Sequence, residues 1–369
     1  MLRRGKKIVV AMSGGVDSSV AASLLVEQGY DVHGVSLRMW EENRGPRVCS
    51  DHRGAAEVAA MLGVPHTLLD LRAQFAASIV KPFADDYLHG RTPNPCVACN
   101  RDFKLGILLN WARAQGAEFI ATGHYARIAH QDEGHAALFR GVDGAKDQSY
   151  FLFALSQEQL ARALFPLGEM QKTEVRERAR RLGLPAAERP ESQDICFGDY
   201  KELVASYAKN DELCGGDVIN RSGKILGRHR GIHSVTVGQR RGLGIAAREP
   251  LYVIDIDEKT KQVVVGQKEE LRCTGLIASA VNWIDLPDQV GFAAAVQIRY
   301  RAPAAPCWVR PSRNATCEVV FDETVQGVTP GQAAVFYRND QVLGGGWIER
   351  ALKDETQQLT ANRPEKISY

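Results

Sequence analysis

The first half of the chain alternates short apolar runs with stretches whose apolar residues recur at helical spacing. The apolar runs predict four buried strands, at residues 7–12, 31–37, 66–71 and 119–122. The stretches between the first three runs predict helices at residues 20–28 and 55–62. Strands that alternate with helices form parallel sheets covered by helices on both faces. The pattern therefore predicts a doubly wound α/β domain over residues 1–207.

The pattern changes near residue 208, beyond which short strands and glycine turns replace long helices. Two apolar runs, at residues 251–257 and 262–266, flank a polar tetrapeptide and predict a hairpin. Further strand-like runs follow at residues 293–298, 317–321 and 333–337. The sequence therefore predicts a small β-rich module over residues 208–275 and a C-terminal β-barrel over residues 276–369.

Composition narrows the class of protein without choosing a function. The 369 residues are too many for one ordinary core, and 44% hydrophobic with 24% charged residues is typical of soluble globular proteins. No apolar run is long enough to cross a bilayer, and the run behind the basic N-terminus is too short for a signal peptide. We therefore expect a cytoplasmic protein with no membrane partner. Its net charge of +2 neither requires nor excludes nucleic acid.

The loop at residues 13–18, Ser-Gly-Gly-Val-Asp-Ser, joins the first predicted strand to the first helix. Gly14 and Gly15 let the backbone bend and approach a phosphate, and the helix N-terminus presents free N–H groups. The hydroxyls of Ser13 and Ser18 can add donors, and Asp17 can hold Mg²⁺ against the phosphates. A tight turn with a capping serine would explain the glycines and one serine, but not Asp17. The loop matches neither a kinase-type P-loop nor a dinucleotide fingerprint, so we predict another kind of nucleotide site.

Three cysteines stand in contexts that suggest chemistry. Cys96 and Cys99 form a Cys-x-x-Cys pair among prolines, just before a helical pattern at residues 101–111. Cys99 therefore lies near a predicted helix N-terminus, where the helix dipole favours a thiolate. Cys196 stands alone, near the end of the predicted α/β domain. Simple burial or half of a zinc site also fits these residues, although the sequence shows no second pair of zinc ligands.

Two positively charged regions carry weaker signals. The predicted middle module is rich in arginine, which fits either a solvated surface or contact with a phosphate backbone. The stretch at residues 172–181 mixes arginines with glutamates and predicts an ordinary helix face.

The loop at residues 13–18 resembles that of the ATP pyrophosphatase family, which cleaves ATP to AMP and pyrophosphate while adenylating a substrate oxygen. Further segments resemble the tRNA-specific 2-thiouridylase family of that superfamily, in family order over nearly the whole chain. They lie at residues 12–18, 90–100, 121–125, 146–152, 238–244 and 328–337. The resemblance implies an ATP pyrophosphatase domain over residues 1–207 and an enzyme that puts sulfur on the wobble uridine of certain tRNAs.

The resemblance also implies roles for individual residues. ATP would be held by Ala11, Met12, Ser13, Gly14, Gly15, Val16, Asp17, Ser18, Leu37 and Gly123. The target base would be touched by Asn94, Pro95 and Cys96. The rest of the tRNA would be touched by His124, Lys146, Asp147, Gln148, Arg299, Tyr300 and Gln332. The implied partners are tRNAs of the glutamate, glutamine and lysine type, and a sulfur-relay protein or sulfide as the sulfur source.

By the same resemblance the catalytic cysteine pair is Cys99 and Cys196. Asp17, the Mg²⁺ ligand predicted from the loop itself, completes the catalytic set. Adenylation of the uridine C2 oxygen would make AMP a leaving group, and a persulfide sulfur on Cys196 would attack C2. Cys99 would then attack the inner sulfur and leave a Cys99–Cys196 disulfide.

Cys96 departs from the family pattern, because many members have aspartate at this position. Three thiolates suit a [4Fe–4S] cluster with one iron left open. The sequence thus leaves two sulfur carriers open, a persulfide on Cys196 or a cluster on Cys96, Cys99 and Cys196. A rival enzyme is a small-molecule amidotransferase-type synthetase, which would need neither Cys99 nor Cys196. A rival of another class is an iron–sulfur RNA-binding protein without catalysis.

Overall fold

The structure, a computed structural model, describes residues 5–40, 51–131, 134–188, 195–196, 200–209 and 213–353. Residues 192–194 next to Cys196, and residues 354–369 of the predicted barrel, lie outside the described residues. The first sheet contains β1 (Lys7–Ala11), β2 (Asp31–Arg38), β3 (His66–Asp70), β4 (Phe119–Ala121) and β7 (Ala163–Leu164). All neighbours in this sheet are parallel, and the strands stand in the order β3-β2-β1-β4-β7.

Helices connect these strands and cover both faces of the sheet. They are α1 (Val16–Glu27), α2 (His52–Met61), α3 (Arg72–Phe75), α4 (Lys81–Leu88), α5 (Pro95–Ala98), α6 (Leu108–Ala114), α7 (Gln157–Arg162), α8 (Lys172–Arg181) and α9 (Tyr200–Tyr207). Two π-helical segments, Ala76–Val80 and Cys99–Ile107, join α3 to α4 and α5 to α6. Successive side chains of β1 point to opposite faces. Ile8 and Val10 therefore pack with α1, α2 and α8, whereas Val9 packs with α3, α4 and α6.

The order of the strands reverses at β1. The chain runs from β1 to β2 and β3 on one side and later adds β4 on the other side. In open α/β sheets, ligands bind at such a reversal, outside the carboxyl ends of the strands. Here the crevice lies between residues 12–15, which follow β1, and residues 122–125, which follow β4. The topology therefore places two of the predicted ATP-binding segments side by side.

A second, smaller sheet follows the α/β domain. Its strands are β8 (Gly216–Asn220), β9 (Ile225–His229), β10 (Tyr252–Asp257) and β11 (Gln262–Gly266), in the order β10-β11-β8-β9. β10 and β11 form the predicted antiparallel hairpin. This sheet lies against the end of α4, where a Cβ atom on Gly90 would lie 2.9 Å from the Ile256 side chain.

The third sheet is a closed antiparallel barrel of six strands. They are β12 (Arg272–Trp283), β13 (Phe292–Gln297), β14 (Ala305–Pro311), β15 (Cys317–Gln326), β16 (Ala333–Arg338) and β17 (Gln341–Leu352). Neighbours pair in the order β12-β15-β14-β13-β16-β17, and β12 also pairs with β17, which closes the barrel. A hairpin of the first domain, β5 (Ala126–His130) and β6 (Ala136–Arg140), extends this sheet because β6 pairs with β17.

The predicted fold class is confirmed: a doubly wound parallel-sheet domain, a small β-rich module and a C-terminal β-barrel follow one another. The hairpin that joins the first domain to the barrel was not predicted from the sequence. Among the described residues, no helix is both long enough and apolar enough to span a membrane.

Candidate active site

The loop at residues 13–18, called the phosphate loop below after its predicted ligand, is held in shape by its own serines. β1 ends at Ala11 and α1 begins at Val16, with Gly15 as its N-cap residue. The Ser13 amide donates to Ser18 Oγ at 3.1 Å, and the Ser18 hydroxyl donates to the Gly15 carbonyl at 3.1 Å. No side chain of the described residues caps α1. The N–H groups at the start of α1 are therefore available to bind an anion.

Two glycines allow the loop to lie against its surroundings. Gly14 has a φ of +75°, and a Cβ atom there would overlap the Asp51 carbonyl oxygen. Gly123, in the loop after β4, lies against the start of α1, since a Cβ atom there would lie 2.8 Å from the Ser18 nitrogen. Only glycine fits either position without displacing backbone. The loops after β1 and β4 are thus in direct contact where the strand order reverses.

The carboxyl end of β2 is tied to the same loop. The Met12 amide donates to the Val35 carbonyl at 2.8 Å, and Ser36 Oγ donates to the Met12 carbonyl at 2.7 Å. Leu37 follows directly in β2, and its side chain is buried. The residues predicted to hold ATP therefore all lie at the carboxyl edge of β1, β2 and β4.

Asp17 is bound by two side chains from distant parts of the chain. Lys172 Nζ lies 2.6 and 2.8 Å from the two carboxylate oxygens of Asp17, and the Tyr125 hydroxyl donates to Oδ1 at 2.7 Å. The Lys172 side chain is only 10% exposed. Because Lys172 is the first residue of α8, the prediction of an ordinary helix face over residues 172–181 is wrong at that residue. No local sequence pattern indicates this contact, since the two partners are 155 positions apart.

Asp17 is the residue predicted to hold Mg²⁺, and in the structure Lys172 binds both of its carboxylate oxygens. Mg²⁺ in such sites is usually held by one or two carboxylates, with water and phosphate oxygens completing its octahedron. Asp17 is partly exposed in the first turn of α1 and can supply one such carboxylate. Within the described residues, no three His, Cys, Asp or Glu side chains come together as a metal site. The carboxylate would therefore hold the ion only together with the phosphates of ATP.

Asn94 begins the segment that carries the first two cysteines. Its side chain accepts a hydrogen bond from the Cys96 amide at 3.2 Å and so caps α5. Cys99 is 6% exposed, and its Sγ lies 3.9 Å from Sδ of Met39, the residue directly after β2. Burial raises the pKa of Cys99 to about 11, against a smaller opposing effect of the Lys104 charge. Burial likewise raises the pKa of the Cys96 thiol.

The expectation of a thiolate at Cys99 is therefore wrong for the protein without its substrates. The helix begins at Pro95, so Cys99 lies a turn beyond the N-terminus, where the dipole has little effect. Loss of water around the buried sulfur disfavours the charged form by more than the ammonium of Lys104 favours it. Cys99 is consequently a protonated thiol at neutral pH.

Cys196 packs against the hydrophobic cluster that contains Cys99. The sulfur of Cys196 is in a disulfide, whereas Cys96 and Cys99 are free thiols. The Cys99–Cys196 disulfide expected after sulfur transfer is therefore not the disulfide of this structure. Because the Cys196 sulfur is already bonded, either sulfur carrier requires this disulfide to be opened first, whether a persulfide on Cys196 or a [4Fe–4S] cluster on the three cysteines.

Asp147 belongs to the tripeptide at residues 146–148 that was predicted to touch tRNA. Its side chain is 8% exposed and forms an ion pair with Arg140 at 2.9 Å. It also accepts hydrogen bonds from the amides of Gly141 and Ser149. The carboxylate of Asp147 therefore stabilises the loop at residues 141–149 in the free protein, and its role there is structural.

Gln148, the next residue, is bound to the segment after β4. Its side-chain Oε1 accepts a hydrogen bond from the Tyr125 amide at 3.0 Å, and its own amide donates to the Tyr125 carbonyl at 2.9 Å. Gln148 and Lys146 are both half-buried. They are thus more exposed than Asp147, the buried member of the tripeptide.

His124, also predicted to touch tRNA, is enclosed by protein. Its ring is 8% exposed, Nδ1 lies 2.6 Å from Thr122 Oγ1, and the ring packs edge-on against Phe165. Burial lowers the pKa of His124 to about 3, and the positive charge of Lys104 adds to this effect. The imidazole is therefore neutral in the native protein.

The barrel reaches the segment that contains Asn94 and the two cysteines. Gln332 Nε2 donates to the Thr92 carbonyl at 2.8 Å, and the Thr92 amide donates to the Pro330 carbonyl at 3.0 Å. The Tyr150 hydroxyl donates to the carbonyl of Ala333, the first residue of β16, at 3.0 Å. The segment after residue 148 therefore also contacts this part of the barrel.

Arg299 and Tyr300, the other predicted tRNA contacts of the barrel, lie on the loop after β13. The ring of Tyr300 packs against that of Phe151, with centroids 4.4 Å apart. Arg299 is exposed, and its guanidinium donates to the Gly327 carbonyl at 2.9 Å. Gln332 and Tyr300 of the barrel thus contact Thr92 and Phe151 of the first domain, which lie two and three residues from its predicted tRNA contacts Asn94 and Gln148.

Comparison with known proteins covers all three parts of the fold. The chain matches the tRNA methyl transferase HUP domain over residues 6–199, the tRNA methyl transferase PRC-barrel domain over residues 201–267 and the aminomethyltransferase beta-barrel domain over residues 273–348. It is 52% identical over 358 residues to the tRNA-specific 2-thiouridylase MnmA of Syntrophotalea carbinolica, covering 94% of this chain and 100% of that protein. It is 48% identical over 364 residues to the same enzyme of Geotalea uraniireducens, covering 95% and 97%. The chain therefore belongs to the tRNA-specific 2-thiouridylase family.

Proposed function

We propose that this protein uses ATP to replace the C2 oxygen of the wobble uridine of tRNA by sulfur. The observation that carries the proposal is the position of Cys99, whose sulfur contacts Met39 directly after β2, at the sheet edge that holds the phosphate loop. A nucleotide site and a thiol at one edge can act on the same substrate atom. The similarity to tRNA-specific 2-thiouridylases over nearly the whole chain supports tRNA as the substrate.

The first step activates a poor electrophile. The uridine C2 oxygen attacks the α-phosphorus of ATP, pyrophosphate leaves, and the oxygen then bridges C2 and AMP. The N–H groups at the start of α1 and the hydroxyls of Ser13 and Ser18 would bind the departing pyrophosphate. A magnesium ion held by Asp17 would neutralise part of the charge on these phosphates.

The second step brings in the sulfur. The terminal sulfur of a persulfide on Cys196 attacks C2, and AMP leaves with the original C2 oxygen. The base and Cys196 are then joined through two sulfur atoms. The Cys99 thiolate attacks the Cys196 sulfur, which releases 2-thiouridine and forms a Cys99–Cys196 disulfide. This disulfide must be opened before the next turnover. Sulfide can open it by attacking the Cys196 sulfur, which expels the Cys99 thiolate and leaves a new persulfide on Cys196. If a thiol reductant opens it instead, a persulfide donor must transfer its outer sulfur to the Cys196 thiolate.

Cys99 must lose its proton before it can attack, because its pKa is about 11 in the free protein. The ammonium of Lys104 lowers that pKa and is half-buried on the π-helical segment that begins at Cys99. We therefore assign to Lys104 the stabilisation of the Cys99 thiolate during sulfur transfer.

The tRNA would be bound by both the first domain and the barrel. Asn94, Pro95 and Cys96 would meet the target base, and Lys146 and Gln148 would meet the neighbouring backbone. The exposed Arg299 on the barrel can pair with a phosphate. By family resemblance the substrates would be tRNAs of the glutamate, glutamine and lysine type, and the sulfur would come from a relay protein or sulfide.

The proposal is tested by incubating the protein with ATP, Mg²⁺, sulfide and tRNA and by separating thiolated tRNA on a mercury gel. Cys99→Ser and Cys196→Ser should each abolish the retarded band, whereas Cys214→Ser, at an exposed cysteine, should keep it. Full activity in either of the first two variants would contradict the persulfide assignment. Tight tRNA binding by the wild type without AMP formation would favour an RNA-binding protein without catalysis.

A further inference from the structure

Arg38 is the last residue of β2 and lies at the carboxyl edge of the first sheet. Successive side chains of a strand point to opposite faces, so Arg38 is on the same face as Ser36. Ser36 Oγ donates to the carbonyl of Met12, the residue directly before the phosphate loop. Arg38 lies about 7 Å further towards the edge, because two residues of a strand span that length. Its side chain therefore starts close to the phosphate loop.

Two helices begin near this position. Val32, which shares the face of Arg38 in β2, packs in one cluster with residues of α1 and α2. The amide of Asp51, directly before α2, donates to the Ser13 carbonyl at 2.8 Å. The starts of both helices therefore lie at the carboxyl edge, on the face of Arg38. The first turn of α2 contains no acidic residue, so it adds no negative charge there.

Arg38 forms no ion pair or side-chain hydrogen bond with the part of the chain that the structure describes. The side chain is half-buried, and its Nε is buried without a hydrogen-bond partner. Asp70 stands opposite Arg38 in the register of β2 and β3, but its carboxylate is bound by Arg72 at 2.7 and 2.9 Å. The Arg38 charge accordingly contributes least among the causes that lower the pKa of Asp70. A buried donor without a partner in a native protein calls for an explanation, and a bound ligand is one.

The phosphates of ATP need a cation that the residues assigned to them so far do not supply. The hydroxyls of Ser13 and Ser18 and the amides of α1 are neutral donors. The ammonium of Lys172 is bound by the Asp17 carboxylate, so these two charges balance each other. The complex of ATP with Mg²⁺ is still an anion. An arginine guanidinium suits it, because its planar fork binds two phosphate oxygens at once.

We propose that Arg38 binds the phosphates of ATP. The proposal rests on the proposed function, since it takes the phosphate loop and Leu37 as the ATP site. Arg38 directly follows Leu37 and shares the face of the phosphate loop, so its guanidinium reaches the phosphates from β2. When pyrophosphate leaves the α-phosphorus, the guanidinium stabilises the negative charge on the phosphate oxygens.

The test compares the binding of ATP with that of adenosine, which lacks the phosphates. Arg38→Met should raise the Kd for ATP with Mg²⁺ at least about tenfold in calorimetry, because hydrogen bonds to a charged group are lost. The Kd for adenosine should stay within about threefold, since the guanidinium is assigned to the phosphates alone. Arg38→Lys keeps the charge but loses the fork, so its Kd for ATP should rise by less. This variant covers the case in which Arg38→Met does not fold.

The Tm without nucleotide separates a binding role from a structural role. Arg38→Met removes no ion pair with the described residues, so the Tm of the nucleotide-free protein should not fall. The rise in Tm that ATP produces should become smaller, because the affinity for ATP is lower. Arg113→Met is the control, since Arg113 is exposed, pairs with Glu158 and lies near the end of α6, which leads into the amino end of β4. It should leave both Kd values unchanged.

Three outcomes decide against the assignment or against its premise. An unchanged Kd for ATP in the folded Arg38 variants would overturn the proposal. An equal loss of affinity for ATP and for adenosine would also overturn it, because it would show a distorted site and not a lost phosphate contact. Failure of the wild type to bind ATP would instead overturn the proposed function.

Discussion

The ion pair between Lys172 and Asp17 allows a quantitative test of the ATP site. Lys172→Met removes the ammonium while keeping a side chain of similar length. The two side chains are 10% and 33% exposed, so the pair lies between a surface and a buried salt bridge. Removing one partner of an exposed ion pair lowers the free energy of unfolding by about 0.2–1 kcal/mol. Removing one partner of a buried ion pair lowers it by about 3–5 kcal/mol. We therefore expect Lys172→Met to lower the free energy of unfolding by about 1–3 kcal/mol.

A double-mutant cycle separates this pair from other effects of the substitutions. Asp17→Asn, Lys172→Met and the double variant are compared by urea unfolding, and a coupling energy of about 1–2 kcal/mol is expected. The double variant should regain part of the stability but none of the AMP formation, because the Mg²⁺ ligand is still missing. Lys81→Met is the control, since Lys81 forms an ion pair with Asp85 at the same distance of 2.6 Å in which both side chains are exposed. A coupling energy below about 0.5 kcal/mol would refute the assignment of Lys172 to Asp17.

Three further predictions follow from the site. Gly14→Ala should raise the Kd for ATP, measured by calorimetry, at least about tenfold, because the added Cβ would overlap a backbone carbonyl. Gly116→Ala is the control, since Gly116 has the same φ of +75° but lies in open space, and it should leave the Kd unchanged. At pH 7, iodoacetamide should alkylate Cys99 more slowly than the exposed Cys214, and the rate at Cys99 should rise as the pH approaches about 11. Equal rates at pH 7 would contradict the raised pKa of Cys99. Burial lowers the pKa of His124 to about 3, so below pH 6.5 the unfolded chain binds a proton that the native protein does not. The free energy of unfolding should therefore fall as the pH falls towards 3. His124→Asn should lose less stability than the wild type over that range in urea unfolding, and an identical pH dependence would argue against a buried neutral ring.

Sequence patterns predicted those parts of the fold that depend on local periodicity. The run at residues 7–12 became β1, and Gly14 in the loop at residues 13–18 has a φ of +75°, which provides the bend expected there. The hairpin of β10 and β11 was likewise visible as two apolar runs around a polar turn. In each case the residues that determine the local structure lie within a few positions of it, so the pattern is visible in a single sequence.

The features that sequence reasoning missed depend on partners far along the chain. Lys172 stands in a strongly charged helix, and nothing near it shows that it is buried against Asp17. Asp147 sits in a tripeptide typical of the family, yet its charge is used by Arg140 on β6. At Cys99, the loss of solvent disfavours the thiolate by more than the helix dipole favours it. Burial is a property of the whole fold, and here it outweighs the local effect.

The central claim is that the C2 oxygen of uridine is adenylated and then displaced by sulfur. The most direct test uses tRNA carrying oxygen-18 at C2 of the wobble uridine, in a single turnover with ATP and persulfide-loaded protein. AMP and 2-thiouridine are then quantified by mass spectrometry. The mechanism predicts one labelled AMP for each 2-thiouridine, because the oxygen is bonded to phosphorus before its bond to C2 breaks. Unlabelled AMP formed together with 2-thiouridine would contradict it.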